Sequence, residues 1–368
     1  MKTEPHSMRR TIRIVAITLC AATAAVTWAV PASHASPNSG GAHSRYANGL
    51  IAYVSDRDSA SAEQVIDEVY VMEPRTRRVF RMTEDPAVEE WPTLSSDGRH
   101  LAWVRLPVDA DGTPRLDQAQ LWTCAIRYRK GAWSCLSPRQ LVSLITPNSI
   151  AFSADGRSLY FSGAPGSDGD VDVFAVRLRG HRAPVNLTEE GPNEAAGFDN
   201  QPSASPDGRY LVFSRGILRI GADLFRQRVD GSGRVQLTNA PLNDVGADYS
   251  PDGNRLLFHS NRDGDFDVYW MRPEPENASN PAINLTDGLR SGADVTQERR
   301  PSWSPDGRQI AFWWHFTPSG FEDGEIYVMR ADGSNPRNLT DNNVPSDASP
   351  RPIGDIMPNW GGPARRAS

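Results

Sequence analysis

The chain is poor in cysteine, in cationic runs and, beyond its N-terminus, in long apolar stretches. Its 368 residues hold three cysteines. Cys20 falls inside the apolar N-terminal segment, which leaves Cys124 and Cys135 as the one candidate pair. No long basic run occurs and the formal net charge is −6. Nucleic-acid affinity rests on many Lys and Arg contacts with phosphate, so a nucleic-acid partner is excluded. After residue 35 no stretch is apolar and long enough to span a membrane. Catalytic signatures are missing as well. Gly166-Ser167-Asp168-Gly169 lacks the first glycine of a nucleophile elbow. There is no His-Glu-x-x-His pair and no phosphate-binding loop. Accordingly no catalytic residue and no metal-ligand set are assigned.

What the chain has in abundance is one degenerate phrase. It reads LSSDGRHLAW from Leu94, FSADGRSLYF from Phe152, ASPDGRYLVF from Ala204, YSPDGNRLLF from Tyr249 and WSPDGRQIAF from Trp303. Ser-Pro-Asp-Gly suits a type I turn, with Pro presetting φ at the second position and Gly in the fourth. The apolar run that follows reads as a buried strand. A third element recurs as Glu68–Met72, Asp172–Val176, Asp223–Phe225, Asp267–Met271 and Glu325–Met329. A fourth ends in Leu-Thr at Thr188, Thr238, Thr286 and Thr340, with Met82-Thr83 as a near copy.

Each unit is thus four short antiparallel strands, A to D, and the turn aspartates at 97, 155, 207, 252 and 306 set a spacing of propeller blades. Strands B to D also precede the first turn phrase, from Leu50 to Thr83, without a strand A. Met357-Pro358-Asn359-Trp360 matches Arg300-Pro301-Ser302-Trp303 and supplies one. The expectation is an all-β, six-bladed β-propeller over residues 49–361, its ring closed by a C-terminal strand that completes the first blade. Such closure removes free sheet edges.

The phrases PSWSPDGRQIAF, DVYWM, EIYVMRADGS and NLT resemble the WD-like repeats of TolB-type β-propellers. The resemblance covers roughly Asn48 to Trp360. TolB-type proteins carry an α/β domain ahead of the propeller, whereas here a short linker, residues 36–48, fills that place.

Residues 1–35 read as a secretory signal with Met8 as an alternative start. Arg9, Arg10 and Arg13 precede an Ala-rich apolar segment, and Ser33-His34-Ala35 forms a small-x-small cleavage site. Arg9-Arg10 leaves Sec and twin-arginine export both open. Periplasm and extracellular space are the expected destinations, and residues 362–368 form a tail. Cys124 and Cys135 flank the expected C–D turn at Tyr128 to Ala132. Export permits a disulfide across the two strands, with two separate thiols as the alternative.

Strand alternation puts the A–B and C–D turns on one face and the B–C and D–A loops on the other. The second set carries most of the added length, at 58–66, 106–117, 189–200, 287–299, 316–323 and 341–355. Repeat proteins place binding on the face that receives insertions. Glu89, Glu90, Asp199, Asn200, Asp248, Arg299, Arg300 and Asp355 are therefore the expected partner-binding residues at the channel mouth. The acidic balance there favours a protein or peptide segment that is basic or amide-rich. The protein is expected to be monomeric.

Two acidic loops, Asn261–Asp267 and Asp168–Asp172, read as B–C turns, with binding of Ca²⁺ or another divalent cation as the alternative. No cofactor is otherwise assigned. His259 and His315 follow strand B in neighbouring units. Packed side chains are the expected role, and a shared metal the alternative. Sugar stacking on Trp91 or Trp314 is a further alternative to packing. The favoured function is a non-catalytic binding platform. The competing one is a secreted carbohydrate lyase or hydrolase using channel carboxylates and a divalent metal.

Overall fold

The computed structural model describes residues 49–58, 67–143, 146–164, 171–180, 183–189, 197–217, 221–289, 296–316, 324–341 and 354–362. Its strands form four sheets of four and one of eight. The first sheet contains β1 (Leu50–Ser55), β2 (Glu68–Glu73) and β3 (Arg78–Arg81), and is completed from the far end of the chain by β24 (Asp355–Gly361). The pairing of β24 with β1 is antiparallel and sets Trp360 opposite Ile51 and Asp355 opposite Ser55.

The second sheet runs β4 (Val88–Leu94), β5 (His100–Leu106), β6 (Gln120–Arg129) and β7 (Ala132–Val142). The third comprises β8 (Thr146–Phe152), β9 (Ser158–Ala164), β10 (Asp172–Arg177) and β11 (Val185–Asn186). The eight-stranded sheet begins with β12 (Phe198–Ala204), β13 (Tyr210–Ile217), β14 (Gly221–Arg228) and β15 (Val235–Gln236). It continues with β16 (Leu242–Tyr249), β17 (Leu256–Ser260), β18 (Asp267–Met271) and β19 (Ile283–Asn284). The repeat predicts two separate units here. A short parallel bridge joins them, with Gly221 opposite Leu242 and Ala222 opposite Asn243. A Cβ on Gly221 would lie 2.3 Å from the Leu242 carbonyl oxygen, so glycine is what permits the approach. The last sheet is β20 (Thr296–Trp303), β21 (Gln309–Phe316), β22 (Glu325–Arg330) and β23 (Arg337–Asn338).

Three devices repeat from unit to unit. In each Ser-x-Asp-Gly turn the serine hydroxyl donates to the aspartate and accepts from a backbone N–H five residues on. Ser153 reaches Asp155 at 2.6 Å and receives Ser158 N–H at 3.0 Å, and Ser304 does the same with Asp306 and Gln309 at 2.6 and 2.9 Å. The Leu-Thr threonine clamps the start of the third strand. Thr286 Oγ1 accepts Val268 N–H at 2.9 Å and donates to Asp267 at 2.8 Å, and Thr188 treats Val173 and Asp172 alike. In the middle of each sheet an aromatic pair faces across the second and third strands: Tyr53/Tyr70, Trp103/Trp122, Phe161/Phe174, Phe213/Phe225, Phe258/Tyr269 and Phe312/Tyr327. Their centroids lie 5.6–6.3 Å apart, a favourable range for ring pairs.

The core lies between sheets as well as within them. Leu50, Val71, Leu94, Leu101 and Trp103 form one buried cluster that spans the first and second sheets. Each such side chain contributes roughly 1.5–3 kcal/mol on burial. The hairpin β6–β7 turns through Lys130 and Gly131, both at positive φ, as a two-residue turn of the I′ kind requires. Cys124 and Cys135 form a disulfide across this hairpin, with Cα atoms 5.7 Å apart. Among the described residues no helix is long and apolar enough to cross a membrane.

Candidate functional site

The strands β4, β8, β12, β16, β20 and β24 share one irregularity. Each slips register against its partner at the same level. The residue at the slip has positive φ: Trp91 54°, Ser149 48°, Gln201 52°, Gly246 78°, Arg300 52° and Met357 58°. A non-glycine residue in this region costs energy, and a bulge re-aims the side chains around it. Pro92, Pro202, Pro301 and Pro358 follow four of the slips. A proline lacks the N–H that a broken ladder leaves unused.

These six strands line a single cavity of about 690 Å³. It runs from the bulge residues Trp91, Ser149, Gly246, Arg300 and Met357 to the A–B turns at Asp97, Asp155 and Asp306. Its walls carry Tyr249, Trp303 and Trp360. At the bulge level the Arg300 guanidinium lies 3.6 Å from the Trp91 ring centroid, and Trp91 Nε1 donates to Glu90 Oε2 at 3.2 Å. The two residues belong to the sheets on either side of β24 and meet over it.

Polar wall residues stitch neighbouring sheets together. Asn359 Oδ1 accepts Leu94 N–H at 2.9 Å, and Ser302 Oγ accepts Trp360 N–H at 3.0 Å. Asp248 accepts Trp303 N–H in the same way, and burial pushes its carboxyl up to about 8.

The residues expected at the mouth fall into two groups. Asp248 and Arg300 line the cavity. Glu89, Asp199 and Asp355 do not face solvent; all three are fully buried two residues before the slip, and Asp244 is equivalent. Each faces an arginine from the next strand or just beyond it: Arg105 at 3.8 Å, Arg215 at 3.8 Å, Arg57 at 2.8 Å and Arg262 at 2.7 Å. Burial raises the Glu89 and Asp244 carboxyls. Glu90 is buried against Trp91. Asn200 is buried too, its Oδ1 accepting Gln201 N–H at 2.8 Å. Arg299 sits 4.1 Å from the Phe266 ring centroid, and desolvation lowers it to about 10.

Sequence reasoning did not find the four arginine partners or the bulges. The bulges had a signal in the x-Pro steps Trp91-Pro92, Gln201-Pro202, Arg300-Pro301 and Met357-Pro358. The arginines had none, because strand register is needed to pair them.

His259 is buried beside Gly246 and 5.4 Å from the Phe266 ring centroid; burial, then Arg299 and Arg300, holds its pKa well below the usual value. His315 is buried and stacks on Trp313 at 5.1 Å. Trp314 meets Tyr327 edge-on at 4.3 Å. In the loop Asn261–Asp267, Asp263 accepts the Tyr269 hydroxyl at 2.5 Å, and Asp267 is held by Thr286 and Asn284. Among the described residues no three His, Cys, Asp or Glu side chains are grouped to hold a metal ion. Most of the loop Asp168–Asp172 lies outside the described residues, as do 59–66, 190–196, 290–295, 317–323 and 342–353 of the elaborated loops.

No protein-family model matches the chain. An uncharacterized protein from Agrobacterium fabrum is 25% identical over 281 residues, which is 66% of this chain and 90% of that one. TolB from Acinetobacter baumannii superposes with a TM-score of 0.61 at 17% identity, over 85% of this chain and 67% of that one. A putative TolB from Agrobacterium tumefaciens gives 0.56 at 19% identity, over 79% and 88%. With its propeller-like arrangement of antiparallel sheets, this chain has the fold of a TolB-like β-propeller.

Proposed function

We propose that this protein is an exported, non-catalytic β-propeller of six blades that holds a protein or peptide segment in its central channel. The six-blade reading takes the eight-stranded sheet as two blades joined by the bridge at Gly221. Six register slips and six cross-strand aromatic pairs support that count. The pairing of β24 with β1 supports closure of the ring by the last strand. Export rests on the signal-like residues 1–35, and periplasm or extracellular space follows from it.

The observation that carries the binding role is the cavity itself. It is shaped by six strands whose backbones depart from regular geometry at one level, next to the enclosed space. Strained backbone concentrates where a site needs it. The walls are fixed by cross-sheet hydrogen bonds, so a ligand meets a preorganised surface. The carbohydrate-enzyme alternative needs a pair of carboxylates that reach a substrate. Of those expected at the mouth, Glu89, Asp199 and Asp355 are buried against arginines and only Asp248 lines the cavity, which weakens it.

The test is affinity capture from native envelope and secreted fractions, with the wild-type protein and an Ala151→Trp variant as parallel baits. Ala151 lines the cavity, so the indole would fill it. Stoichiometric recovery of a protein by the first bait and its loss with the second supports the role. Identical recovery by both baits removes the channel from the account.

A further inference from the structure

The described cavity reaches the tight A–B turns, on the face opposite the elaborated loops. We propose that the channel takes its ligand through this turn face, and that the ligand is an extended peptide segment bearing Arg or Lys side chains that seat between Asp97, Asp155 and Asp306. The inference rests on the channel-binding role and adds the entry side and the chemistry of the partner.

Three observations carry it. The first is the radial order of charge on the turn face. Asp97, Asp155 and Asp306 line the cavity, whereas Arg99, Arg157 and Arg308, two residues further on, do not and are exposed. A chain entering along the axis therefore meets carboxylates first, although Arg99 Nε lies 3.7 Å from Asp97 Oδ2 on its outer side. Each carboxylate is fixed by the same two bonds through Oδ1: from Ser95 and Arg99 N–H at 2.7 and 3.0 Å, from Ser153 and Arg157 N–H at 2.6 and 3.0 Å, and from Ser304 and Arg308 N–H at 2.6 and 3.1 Å. They cannot swing away from the mouth without losing both, so they are prepositioned for a cation.

The second observation is the wall below the rim. Trp303, Trp360, Tyr249 and Phe152 line it together with prolines. Flat aromatic and pyrrolidine surfaces accept an extended main chain and the aliphatic stems of long basic side chains. A space of about 690 Å³ exceeds what a lone metal ion or ammonium group fills.

Third, Ser203 Oγ in the same wall is fully buried and has no hydrogen-bond partner among the described residues. Its counterparts Ser302, Asn359 and Asp248 all receive a backbone N–H from the neighbouring sheet. A buried hydroxyl left without a partner is uncommon, and an ordered water or a ligand group at the wall would satisfy it. A peptide amide pressed against this wall would supply the partner once the wall side chains shift to uncover the hydroxyl.

The full-length protein would be titrated against a fluorescent, N-acetylated hexapeptide amide of sequence Gly-Leu-Arg-Pro-Arg-Gly, read by anisotropy. Its counterpart with citrulline in place of both arginines keeps the shape and three of the five N–H donors of each side chain, gains a carbonyl acceptor and carries no charge. The arginine peptide is expected to bind at least about tenfold more tightly, and its Kd to rise with ionic strength. The triple variant Asp97→Asn, Asp155→Asn, Asp306→Asn keeps the Oδ1 acceptors and should bring the arginine peptide down to the citrulline level. Glu189→Gln, on an exposed loop of the other face, should change nothing.

Equal binding of the two peptides, undiminished binding to the triple variant, or no binding of either overturns the turn-face inference. The wider channel reading is judged separately by Ala151→Trp. If peptides bind the triple variant but not Ala151→Trp, the channel survives and the acidic entry falls. If they bind Ala151→Trp as tightly as wild type, they lie outside the channel and both readings fall.

Discussion

Arg57 and Asp355 stand 298 residues apart in the sequence and meet through Nη2 and both carboxylate oxygens at 2.8 and 2.9 Å. The guanidinium also lies 5.5 and 5.2 Å from the rings of Tyr53 and Tyr70. The pair therefore fastens β24 to β1 at the seam where the two ends of the described chain meet. Asp355 is fully buried, so removing its partner strands a charge. Arg57→Ala is expected to lower unfolding free energy by about 3 kcal/mol. Chemical denaturation should show a reduced midpoint, and limited proteolysis should cut first near the C-terminal strand. A midpoint shift below about 0.5 kcal/mol, the usual scale for an exposed pair, would mean that the seam is held by backbone pairing alone.

The threonine clamp predicts a contrast between two hydroxyls. Thr286 is buried, and its loss leaves Val268 N–H without an acceptor and takes one donor from Asp267. Thr286→Val should cost about 2 kcal/mol. Ser232 makes a similar bond to Asp230 at 2.7 Å in an exposed turn, where water replaces it. Ser232→Ala should stay within about 0.5 kcal/mol of wild type. Equal costs would show that the clamp is not a buried device.

Much of this was readable from residue order. The Ser-x-Asp-Gly turns, the acidic start of the third strand and the Leu-Thr ending are local patterns, and each maps onto a local hydrogen-bond set. The half-unit at residues 50–83 and its match at Met357–Trp360 pointed to the pairing of β1 with β24. What stayed hidden is non-local. Glu89, Asp199 and Asp355 read as solvent-facing because they adjoin long loops. Cross-strand register sets Glu89 opposite Arg105 and Asp199 opposite Arg215, and Arg57 closes on Asp355; the carboxylates are buried by these pairings. The reach of the cavity toward the turns depends on how the sheets splay around the axis, which no window of sequence encodes.

Gly246 marks where a histidine replaces a bulge side chain. It has φ 78°, and a Cβ there would lie 1.5 Å from His259 Nδ1. Gly246→Ala must therefore displace the imidazole and adopt an unfavourable backbone, at about 3 kcal/mol. His259→Ala removes the obstacle. The double variant should cost less than the sum of the two by about 1 kcal/mol or more. Strict additivity in a double-mutant cycle would sink the packing role assigned to His259.

Asp248 makes stability depend on pH in a direction opposite to that of a surface ion pair. Its carboxyl is raised from 3.8 to about 8, chiefly by burial, although the Trp303 N–H and Ser302 favour the charged form. Between these two values the folded protein holds a proton that the unfolded chain has released. The folded state binds more protons there, so stability falls as pH rises through the window and is lowest above it. Asp248→Asn keeps an acceptor for Trp303 N–H and has no charge to bury. Wild type minus variant should therefore worsen from pH 5 to pH 8 by on the order of 2 kcal/mol, less than the full shift implies because the side chain borders the cavity. The carboxyls of half-buried Asp223 and buried Asp244 are raised as well, but they are present in both proteins and cancel in the difference. Parallel stability profiles over that range would mean that Asp248 is already ionised at neutral pH. Its hydrogen bond to the neighbouring strand would then be a charge-assisted one.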